Sequence, residues 1–586
     1  MSMSHPLPPQ SAAGLHRRAH AAGRRLRPTA ALAVAAFALA LAGGAPAQSQ
    51  SQSRADGIDD PAVARVIVKY RAAGTLMRQA LAARSGAAVT TPAESTHGPQ
   101  QAAAMARRSG LALADGRVVD ERSQVLLARG LSSRDLAQRL SADEEVEYAV
   151  PDERRRALAL PNDPLFAGGP GISPVAGQWY LRAPDGERVS AMNALGAWDI
   201  ATGAASVVVA IIDSGVRPEH PDLADVLVAG YDFIADAADA RDGDGRDADP
   251  SDPGDWTSEG LCGVGESASP SSWHGTKMAG LVGAHTDNGL GMAAVARGVR
   301  VQPVRVLGAC GGYDSDIIAG MLWAAGLSRN PVVNPTPARV LNLSLGSSGS
   351  CSAAYRDVTE RLEAAGVVIV AAAGNEEGLA VSTPGNCPGV IAVAALRHAG
   401  TKVGFSSVGP EVAIAAPGGN CVNLAGECLY PIVTTTDSGT RGPVRSTYTD
   451  GYDYSVGTSF ASPLVAGTVA LMLSVNPALA PGEVRTMLGS SARPFVAAGT
   501  AGVPQCHAPD GRPQDECVCT TATCGAGMLD AAAAVRAAVA AADGAGDENE
   551  GGGTGGGALD LPWLLALAAG LAVPWALRRW PHRSKG

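Results

Sequence analysis

The 586-residue chain has few aromatic residues, and its ten cysteines are confined to one part of the sequence. Aromatic residues make up 4% of the chain, whereas glycine occurs 72 times, a composition that favours small-residue packing and tight turns. The formal net charge is -10. Because a nucleic-acid-binding protein needs a basic surface, the sequence excludes nucleic acid as an expected partner.

No cysteine precedes Cys262 and none follows Cys524. An even number of cysteines in the middle of an exported chain predicts disulfide bonds. The alternative is a zinc site, because the segment from Cys517 to Cys524 contains three cysteines. Its spacing lacks a Cys-x-x-Cys pair, which favours the disulfides.

Residues 1–47 are typical of an export signal. Arginine-rich segments precede an apolar run from Ala30 to Ala42, and Ala45-Pro46-Ala47 supplies the small residues of a cleavage site. The run is too short for a membrane-spanning helix, and the paired arginines match a twin-arginine signal poorly. The sequence therefore predicts a secreted or cell-surface protein.

Residues 55–156 resemble a small α+β module. The segment Ala64–Tyr70 alternates apolar and polar residues, residues 116–130 contain two short extended pieces, and residues 145–150 form another candidate strand. Residues 133–140 have helical spacing with a serine at the start. The module is either an accessory domain or a propeptide, and the exposed arginines 154–156 mark its boundary.

Residues 157–537 alternate apolar runs with helix-like segments. The predicted strands are 206–213, 299–307, 338–345, 366–374 and 389–396, and the predicted helices are 274–284, 314–328 and 353–365. Near-continuous apolar strands with helical crossovers predict an α/β fold with a parallel sheet buried on both faces. Ligands bind such sheets at the carboxyl ends of the strands.

The C-terminal segments differ in composition from the rest of the chain. Residues 538–557 are a Gly-rich linker, and residues 558–586 contain an uncharged apolar run from Leu561 to Leu577 followed by arginines. The run is nearly long enough to span a bilayer, and the basic end favours the cytoplasmic side. The alternative is a loosely packed C-terminal helix. The ending also resembles the Gly-rich, apolar, Arg-rich sorting tails of some Gram-negative surface proteins. The sequence thus predicts a transmembrane or sorting tail that is first inserted into the membrane, and it leaves open whether this tail is retained or removed.

Three short segments contain the side chains that nucleophilic acyl transfer needs. Asp213 ends a predicted strand, His274 begins the segment His-Gly-Thr-Lys, and Ser459 lies in Gly-Thr-Ser-Phe-Ala-Ser-Pro. A serine hydroxyl is a weak nucleophile until an imidazole removes its proton, and the imidazole needs a carboxylate to fix its tautomer. The prediction depends on all three segments, because each residue alone has an ordinary structural explanation.

Together these segments resemble the Asp, His and Ser motifs of the subtilase family, and the similarity extends over about residues 160–535. The chain order Asp, His, Ser is that of subtilisin. The resemblance implies a three-layer, mainly parallel α/β fold with serine endopeptidase activity. It assigns Ser459 as nucleophile, His274 as proton carrier and Asp213 as the carboxylate that orients the imidazole.

The resemblance extends to substrate recognition. The segment around Asn375 resembles the family's oxyanion motif and makes this side chain the expected donor, together with the Ser459 N–H. Two further segments resemble the strands that bind a peptide substrate between them. Their candidate substrate-binding residues are Ser344, Leu345, Gly346, Gly311 and Gly312.

Further expectations come from the same resemblance. The resemblance implies that residues 48–156 are an inhibitory propeptide that is cleaved near Arg156. The chain's own propeptide is then an expected intramolecular partner. Cys310 and Cys351 become a candidate pair that clamps loops on the substrate side. Lys277 stands where the family often has a second histidine. The mature enzyme is expected to be a monomer that acts on proteins or peptides.

A run of aspartates occupies residues 232–255. Closely spaced carboxylates repel one another unless a cation binds, and calcium prefers six to eight oxygen ligands. The candidate ligands are Asp242, Asp244, Asp247, Asp249 and Asp252. The pattern is not an EF-hand, and the alternative is a solvated acidic loop; the resemblance favours a structural Ca²⁺ ion.

Three other functions fit the sequence less well. An inactive binding protein with a subtilase-like fold would not need the full set of catalytic side chains, and a calcium-dependent adhesive protein would not hydrolyse casein. An esterase of the α/β-hydrolase class would place its nucleophile in Gly-x-Ser-x-Gly and order its residues Ser, Asp, His.

Overall fold

The computed structural model describes residues 63–78, 97–152, 160–421, 426–453, 455–499 and 502–547. The chain forms two compact units that divide between Arg155 and Arg156. Several predicted features lie outside the described residues: the export signal at 1–47, the arginines at the predicted cleavage site, residues 548–557 of the linker and the apolar tail at 558–586.

Over the residues that the structure describes, the first unit contains a four-stranded antiparallel sheet, two helices whose ends are both described, and a helical turn at residues 75–78. Its strands are β1 (Val63–Tyr70), β2 (Leu113–Val118), β3 (Ser123–Arg129) and β4 (Val146–Pro151), in the order β2-β3-β1-β4. Its helices are α1 (His97–Ser109) and α2 (Ser133–Ser141). The predicted strands and the second helix are confirmed, and Ser132 caps that helix by accepting the Asp135 N–H at 3.0 Å.

The second unit contains a seven-stranded parallel sheet. Its strands are β5 (Val208–Asp213), β6 (Tyr231–Asp232), β7 (Arg300–Arg305), β8 (Val340–Leu343), β9 (Val368–Ala372), β10 (Val390–Leu396) and β11 (Val412–Pro417). The spatial order is β11-β10-β9-β8-β5-β7-β6, and every neighbouring pair is parallel. A separate antiparallel hairpin consists of β12 (Thr435–Asp437) and β13 (Ser446–Tyr448).

Helices cover both faces of the parallel sheet. They are α3 (Pro164–Ala167), α4 (Ala194–Trp198), α5 (Ala237–Ala240), α6 (His274–Gly283), α7 (Asp314–Ala324), α8 (Ala353–Ala364), α9 (Thr458–Val475), α10 (Pro481–Ser491) and α11 (Ala531–Asp547), with a 3₁₀ turn at Trp179–Leu181. Val209 and Ile211 of β5 pack in one core with α6 and α9, whereas Ala210 and Ile212 pack in another with α7 and α8. The predicted three-layer α/β fold is confirmed.

Two helices differ from the sequence interpretation. Among the described residues, α9 is the one helix long and apolar enough to cross a membrane, but 83% of its apolar window is buried in the core. The helix α11 continues to Asp547 and so includes the first half of the predicted linker. Ala538 is fully buried there, so the folded unit extends beyond residue 537.

All ten cysteines form disulfide bonds. The pairs are Cys262–Cys310, Cys351–Cys387, Cys421–Cys428, Cys506–Cys517 and Cys519–Cys524. The prediction of disulfides is confirmed, but the suggested pairing of Cys310 with Cys351 is wrong. Each of those two cysteines instead lies 5.1–5.4 Å, Cα to Cα, from another partner. The sulfurs of Cys506, Cys519 and Cys524 are close together as zinc ligands would be, but all three are oxidised.

Candidate active site

Asp213 and His274 are adjacent at the carboxyl end of the parallel sheet. Asp213 ends β5, its side chain is fully buried, and the Ser214 N–H donates to its Oδ1 at 2.8 Å. His274 is the first residue of α6, and its Nδ1 lies 2.8 and 3.0 Å from the two carboxylate oxygens. This arrangement fixes the imidazole tautomer with Nε2 directed away from the carboxylate.

The short distance between strand and helix depends on a glycine. A Cβ atom on Gly275 would lie 2.1 Å from the Gly215 carbonyl oxygen, so any side chain there would push α6 away from β5. Trp273, which precedes His274, has a φ of +53° and is held by its buried indole N–H, which donates to the Gly439 carbonyl at 2.7 Å. This strained turn is thus maintained by the surrounding core.

The charge of Asp213 controls the protonation of His274. Burial by itself lowers the pKa of the imidazole, but the attraction and hydrogen bond of the Asp213 carboxylate outweigh burial, so the pKa is raised above its ordinary value of 6.5. The positive charge of Lys277 acts in the opposite direction. A carboxylate that stabilises the imidazolium form is what a general base needs when it receives a proton.

Ser459 occupies the first turn of α9. Its hydroxyl donates to the Ser344 carbonyl at 3.1 Å, and the Ser344 hydroxyl donates to the Ser459 carbonyl at 2.7 Å. The ring of Phe460 packs edge-on against His274, with centroids 6.4 Å apart. Among the described residues, no hydrogen bond joins the Ser459 hydroxyl to the His274 imidazole.

A buried polar network sets the start of α9 against β8. The Ser462 hydroxyl donates to Asn342 Oδ1 at 2.7 Å, and Asn342 Nδ2 donates to the Ser344 hydroxyl at 3.0 Å. Ser344 in turn contacts Ser459, as described above. Sequence reasoning did not identify Asn342 or Ser462, although a polar residue within an apolar strand such as β8 is a signal for such a network.

Asn375 lies in the loop after β9, beside the start of α9. Its Oδ1 accepts the N–H and the hydroxyl of Thr458, each at 3.0 Å. This leaves the amide Nδ2 as a donor that is oriented by the fixed oxygen. Gly374 is required next to it, because its φ is +110° and a Cβ would lie 2.3 Å from the Ser382 hydroxyl.

All five predicted substrate-binding residues line one cleft of about 490 Å³, together with His274. Ser344, Leu345 and Gly346 follow β8, and Gly311 and Gly312 follow β7. Gly312 has no room for a side chain, since a Cβ would lie 2.2 Å from the Val306 carbonyl oxygen. The remaining lining residues include Asp255, Cys310, Asp314, Tyr355 and Thr383.

Residues 204–533 match the model of the Peptidase_S8 subtilase family, which is more than half of the chain. The chain belongs to the subtilase family. An extracellular protease of Xanthomonas campestris pv. campestris is 40% identical over 405 residues, which are 69% of this chain and 61% of that protein. An extracellular basic protease of Dichelobacter nodosus is 36% identical over 408 residues, which are 68% of this chain and 59% of that protein.

This subtilase spans about three fifths of the length of these two relatives. A solved structure of a protease from Pseudoalteromonas arctica has 40% sequence identity and a TM-score of 0.55. The match covers 65% of the subtilase described here and 100% of the solved chain.

The aspartates predicted as calcium ligands of the subtilase do not converge. Asp242 pairs with Arg305, while Asp247 and Asp249 each accept a backbone N–H two residues further on. Asp252 is buried elsewhere, with its carboxylate on Ser214. Asp244, the remaining candidate, donates its own backbone N–H to Asp242 Oδ1 at 3.4 Å. Within the described residues, no three carboxylate side chains bring their oxygens within 4.8 Å of one another, so the predicted ligand set does not fit a calcium ion.

Two further polar pairs support the site, and sequence reasoning missed both. Asp255 accepts the N–H and the hydroxyl of Ser272 at 2.6 Å each, and the Ser272 hydroxyl accepts the His274 N–H at 3.2 Å. Ser214 and Asp252 form the other pair, at 2.9 Å. Burial, followed by the charge of Asp255, raises the pKa of Asp252 to about 7.

Proposed function

We propose that this subtilase is a secreted serine endopeptidase that hydrolyses peptide bonds of proteins through a Ser459 acyl-enzyme. The observation that carries the proposal is the pairing of buried Asp213 with His274 at the cleft, next to the turn of α9 that bears Ser459. The names of the related extracellular proteases agree with it.

In the proposed reaction His274 removes the proton of Ser459 during attack and later delivers it to the leaving amine. Asp213 holds the imidazole and stabilises its protonated form. In the structure the Ser459 hydroxyl donates to the Ser344 carbonyl. We expect it to turn to His274 when substrate binds, since catalytic hydrogen bonds are often completed only in the complex.

The oxyanion that forms on the substrate carbonyl needs fixed donors. Asn375 Nδ2 is one candidate, because Thr458 holds the amide oxygen and so sets the orientation of the whole group. The second candidate is the Ser459 N–H, one of the N–H groups in the first turn of α9 that have no partner within the helix. The dipole of α9 adds a positive potential there.

A peptide substrate would lie between two backbone segments of the cleft. Residues 344–346 follow β8 and residues 311–312 follow β7, and β5 with Asp213 lies between those strands in the sheet. An extended peptide can pair with such segments through its own backbone groups. This mode of binding leaves side-chain preference to the pockets along the cleft.

We further propose that the first unit is an inhibitory propeptide. It forms its own core, and the chain divides into units beside the arginines at 154–156. In this proposal the enzyme cleaves its own chain near Arg156, and residues 1–47 direct export. The tail at 558–586 would insert into the membrane before it is retained or removed. The family is consistent with a structural calcium ion, but no ligand set is assigned to it.

Replacement of the nucleophile tests the proposed function. The Ser459→Ala variant should lose hydrolysis of casein by about 10⁶-fold in kcat. It should also keep the first unit attached, and it should not react with a fluorophosphonate probe, which should label Ser459 in the unchanged protein. Removal of the first unit in this variant would show that another protease performs the maturation. Unchanged casein hydrolysis, or no label on the unchanged protein, would overturn the proposed function.

A further inference from the structure

The burial of the Asp252 carboxylate is not explained by calcium binding or by contact with substrate. The residue is 1% exposed, and both of its oxygens accept a hydrogen bond: Oδ2 from the Ser214 hydroxyl at 2.9 Å and Oδ1 from the Gly254 N–H at 2.8 Å. A buried carboxylate is costly unless such bonds compensate for the lost water. Asp252 does not line the substrate cleft.

Ser214 connects this carboxylate to both members of the Asp213–His274 pair. Its backbone N–H donates to Asp213 Oδ1 at 2.8 Å. Its hydroxyl accepts the N–H of Gly275, the residue after His274, at 3.0 Å. One serine therefore contacts the end of β5, the start of α6 and Asp252.

The direction of these hydrogen bonds gives Asp252 a defined effect. A serine hydroxyl has a single proton, and here that proton goes to Asp252, so a lone pair of Ser214 Oγ faces the Gly275 N–H. Without the carboxylate the hydroxyl proton loses its fixed acceptor, and the Gly275 N–H alone would orient the Ser214 hydroxyl toward α6. The bond across the gap between β5 and α6 would then weaken.

We propose that Asp252 is a positioning residue for the Asp213–His274 pair and that it acts through the Ser214 hydroxyl. The proposal rests on the proposed peptidase function, because positioning has meaning only where His274 transfers a proton. A loss of positioning lowers the rate of the chemical step, while binding of substrate in the cleft is unchanged.

The backbone of Asp252 is anchored independently of its side chain. Its N–H donates to the Val216 carbonyl at 2.9 Å, and its carbonyl accepts from the Arg217 guanidinium at 2.6 Å. Substitution of the carboxylate therefore leaves the segment in place. Truncation of the side chain removes the contacts with Ser214 and with the Gly254 N–H, and the Ser214 variant described below separates the first from the second.

The test uses the full chain with kcat and KM measured on a peptide substrate, and with active sites counted by the fluorophosphonate probe. Asp252→Ala should lower kcat by about 10- to 100-fold, with KM changed by less than about twofold. Asp252→Asn should recover most of the loss, because its amide still accepts from Gly254 and can donate to a lone pair of Ser214. Asp249→Ala is the matched control: this exposed aspartate makes a similar turn contact, to Ser251, and should leave kcat unchanged.

A second variant keeps the result interpretable if Asp252→Ala folds poorly. Ser214→Ala should reproduce the loss in kcat. The double variant should have about the same kcat as the less active of the two single variants, because both changes break one connection. Unchanged kcat in Asp252→Ala, fully additive losses, or a loss confined to KM would each overturn the proposal. An inactive unchanged chain with no label at Ser459 would instead overturn the proposed function and, with it, this inference.

Discussion

The interiors of the two units differ in the polar groups that they contain. The first unit, as far as it is described, buries three polar side chains, and Glu145 is the only charged one. The second unit buries many more. Its buried charged residues are Asp163, Asp213, Asp222, Asp232, Asp252, Arg305, Asp316, Lys402 and Asp437.

The units also differ in how their sheets are covered. In β1 buried and half-buried residues alternate, as in a sheet with one face on the core, whereas every residue of β5 is buried. All five disulfides are in the second unit. The described core of the first unit is thus mainly apolar, with Glu145 compensated by the Thr75 and Leu76 N–H groups. The second unit compensates more internal charges with specific hydrogen bonds and also contains the covalent links. This difference agrees with the proposal that the first unit is a propeptide that is removed while the second unit remains.

Among the buried charged residues, the largest expected effect is at Asp213, the proposed catalytic carboxylate. Asp213→Asn should lower kcat by about 10⁴-fold, because the amide favours the wrong tautomer of His274. The near-ultraviolet circular dichroism should not change, since the two side chains have the same shape. A loss smaller than about tenfold would show that the buried charge is structural and not catalytic.

A second buried charge serves stability. Lys402 is fully buried, and its ammonium group donates to the carbonyls of Val403, Gly404, Ser406 and Gln514 at 2.8–3.2 Å. Lys402→Met leaves these acceptors without their donor and should lower the free energy of unfolding by about 3–5 kcal/mol. Urea denaturation of the Ser459→Ala chain measures it.

Lys69 of the first unit provides the control for Lys402. Its ammonium lies 3.5 Å from Glu147 in a half-exposed ion pair. Lys69→Met should therefore lower the free energy of unfolding by less than about 1 kcal/mol. Equal effects of the two substitutions would contradict the contrast between the units.

Apolar truncation should be the costly change in the first unit. Leu136 is fully buried in α2, and Leu136→Ala should destabilise this unit by about 3 kcal/mol through lost burial and a cavity. Val118, an exposed residue of β2, is the control and should cost less than about 0.5 kcal/mol when changed to alanine. Denaturant unfolding monitored by hydrogen exchange separates the two units, and a comparable cost at both positions would contradict the assigned core.

The smallest effect is on pH dependence. In the proposed mechanism activity requires neutral His274, whose pKa is raised above 6.5, so kcat/KM should fall as the pH decreases through that raised value. Lys277→Met removes a charge that lowers this pKa and should move the acid limb of the profile to higher pH. A limb that moves to lower pH would show that Lys277 does not act on His274 through its charge.

Much of this architecture was predictable because it depends on local patterns. The apolar runs predicted five of the seven parallel strands, and the alternating segment Ala64–Tyr70 predicted β1. The strand β6 was missed because its two residues carry no periodic signal, and β11 was missed because its short alanine-rich run is ambiguous. The boundary predicted at residue 537 was wrong, because a Gly- and Ala-rich segment gives no sequence signal for the burial of Ala538.

The pairing of distant residues was not predictable. Cys310 and Cys351 each have a partner that the sequence order does not indicate. The aspartates of residues 242–252 share one composition, but Asp242 pairs with Arg305 and Asp252 bonds to Ser214. The composition of such a segment gives its charge. The partner of each carboxylate depends on which residues the fold places next to it.

The sequence by itself determined which side chains are available for chemistry: Asp213, His274, Ser459 and Asn375 are readable from their flanking motifs. The tertiary structure alone decided how those groups are held. The order β8-β5-β7 places segments that are far apart in the chain side by side at one edge of the sheet. Contacts across that edge, such as Ser214 with Asp252, arise from long-range packing that no local pattern encodes.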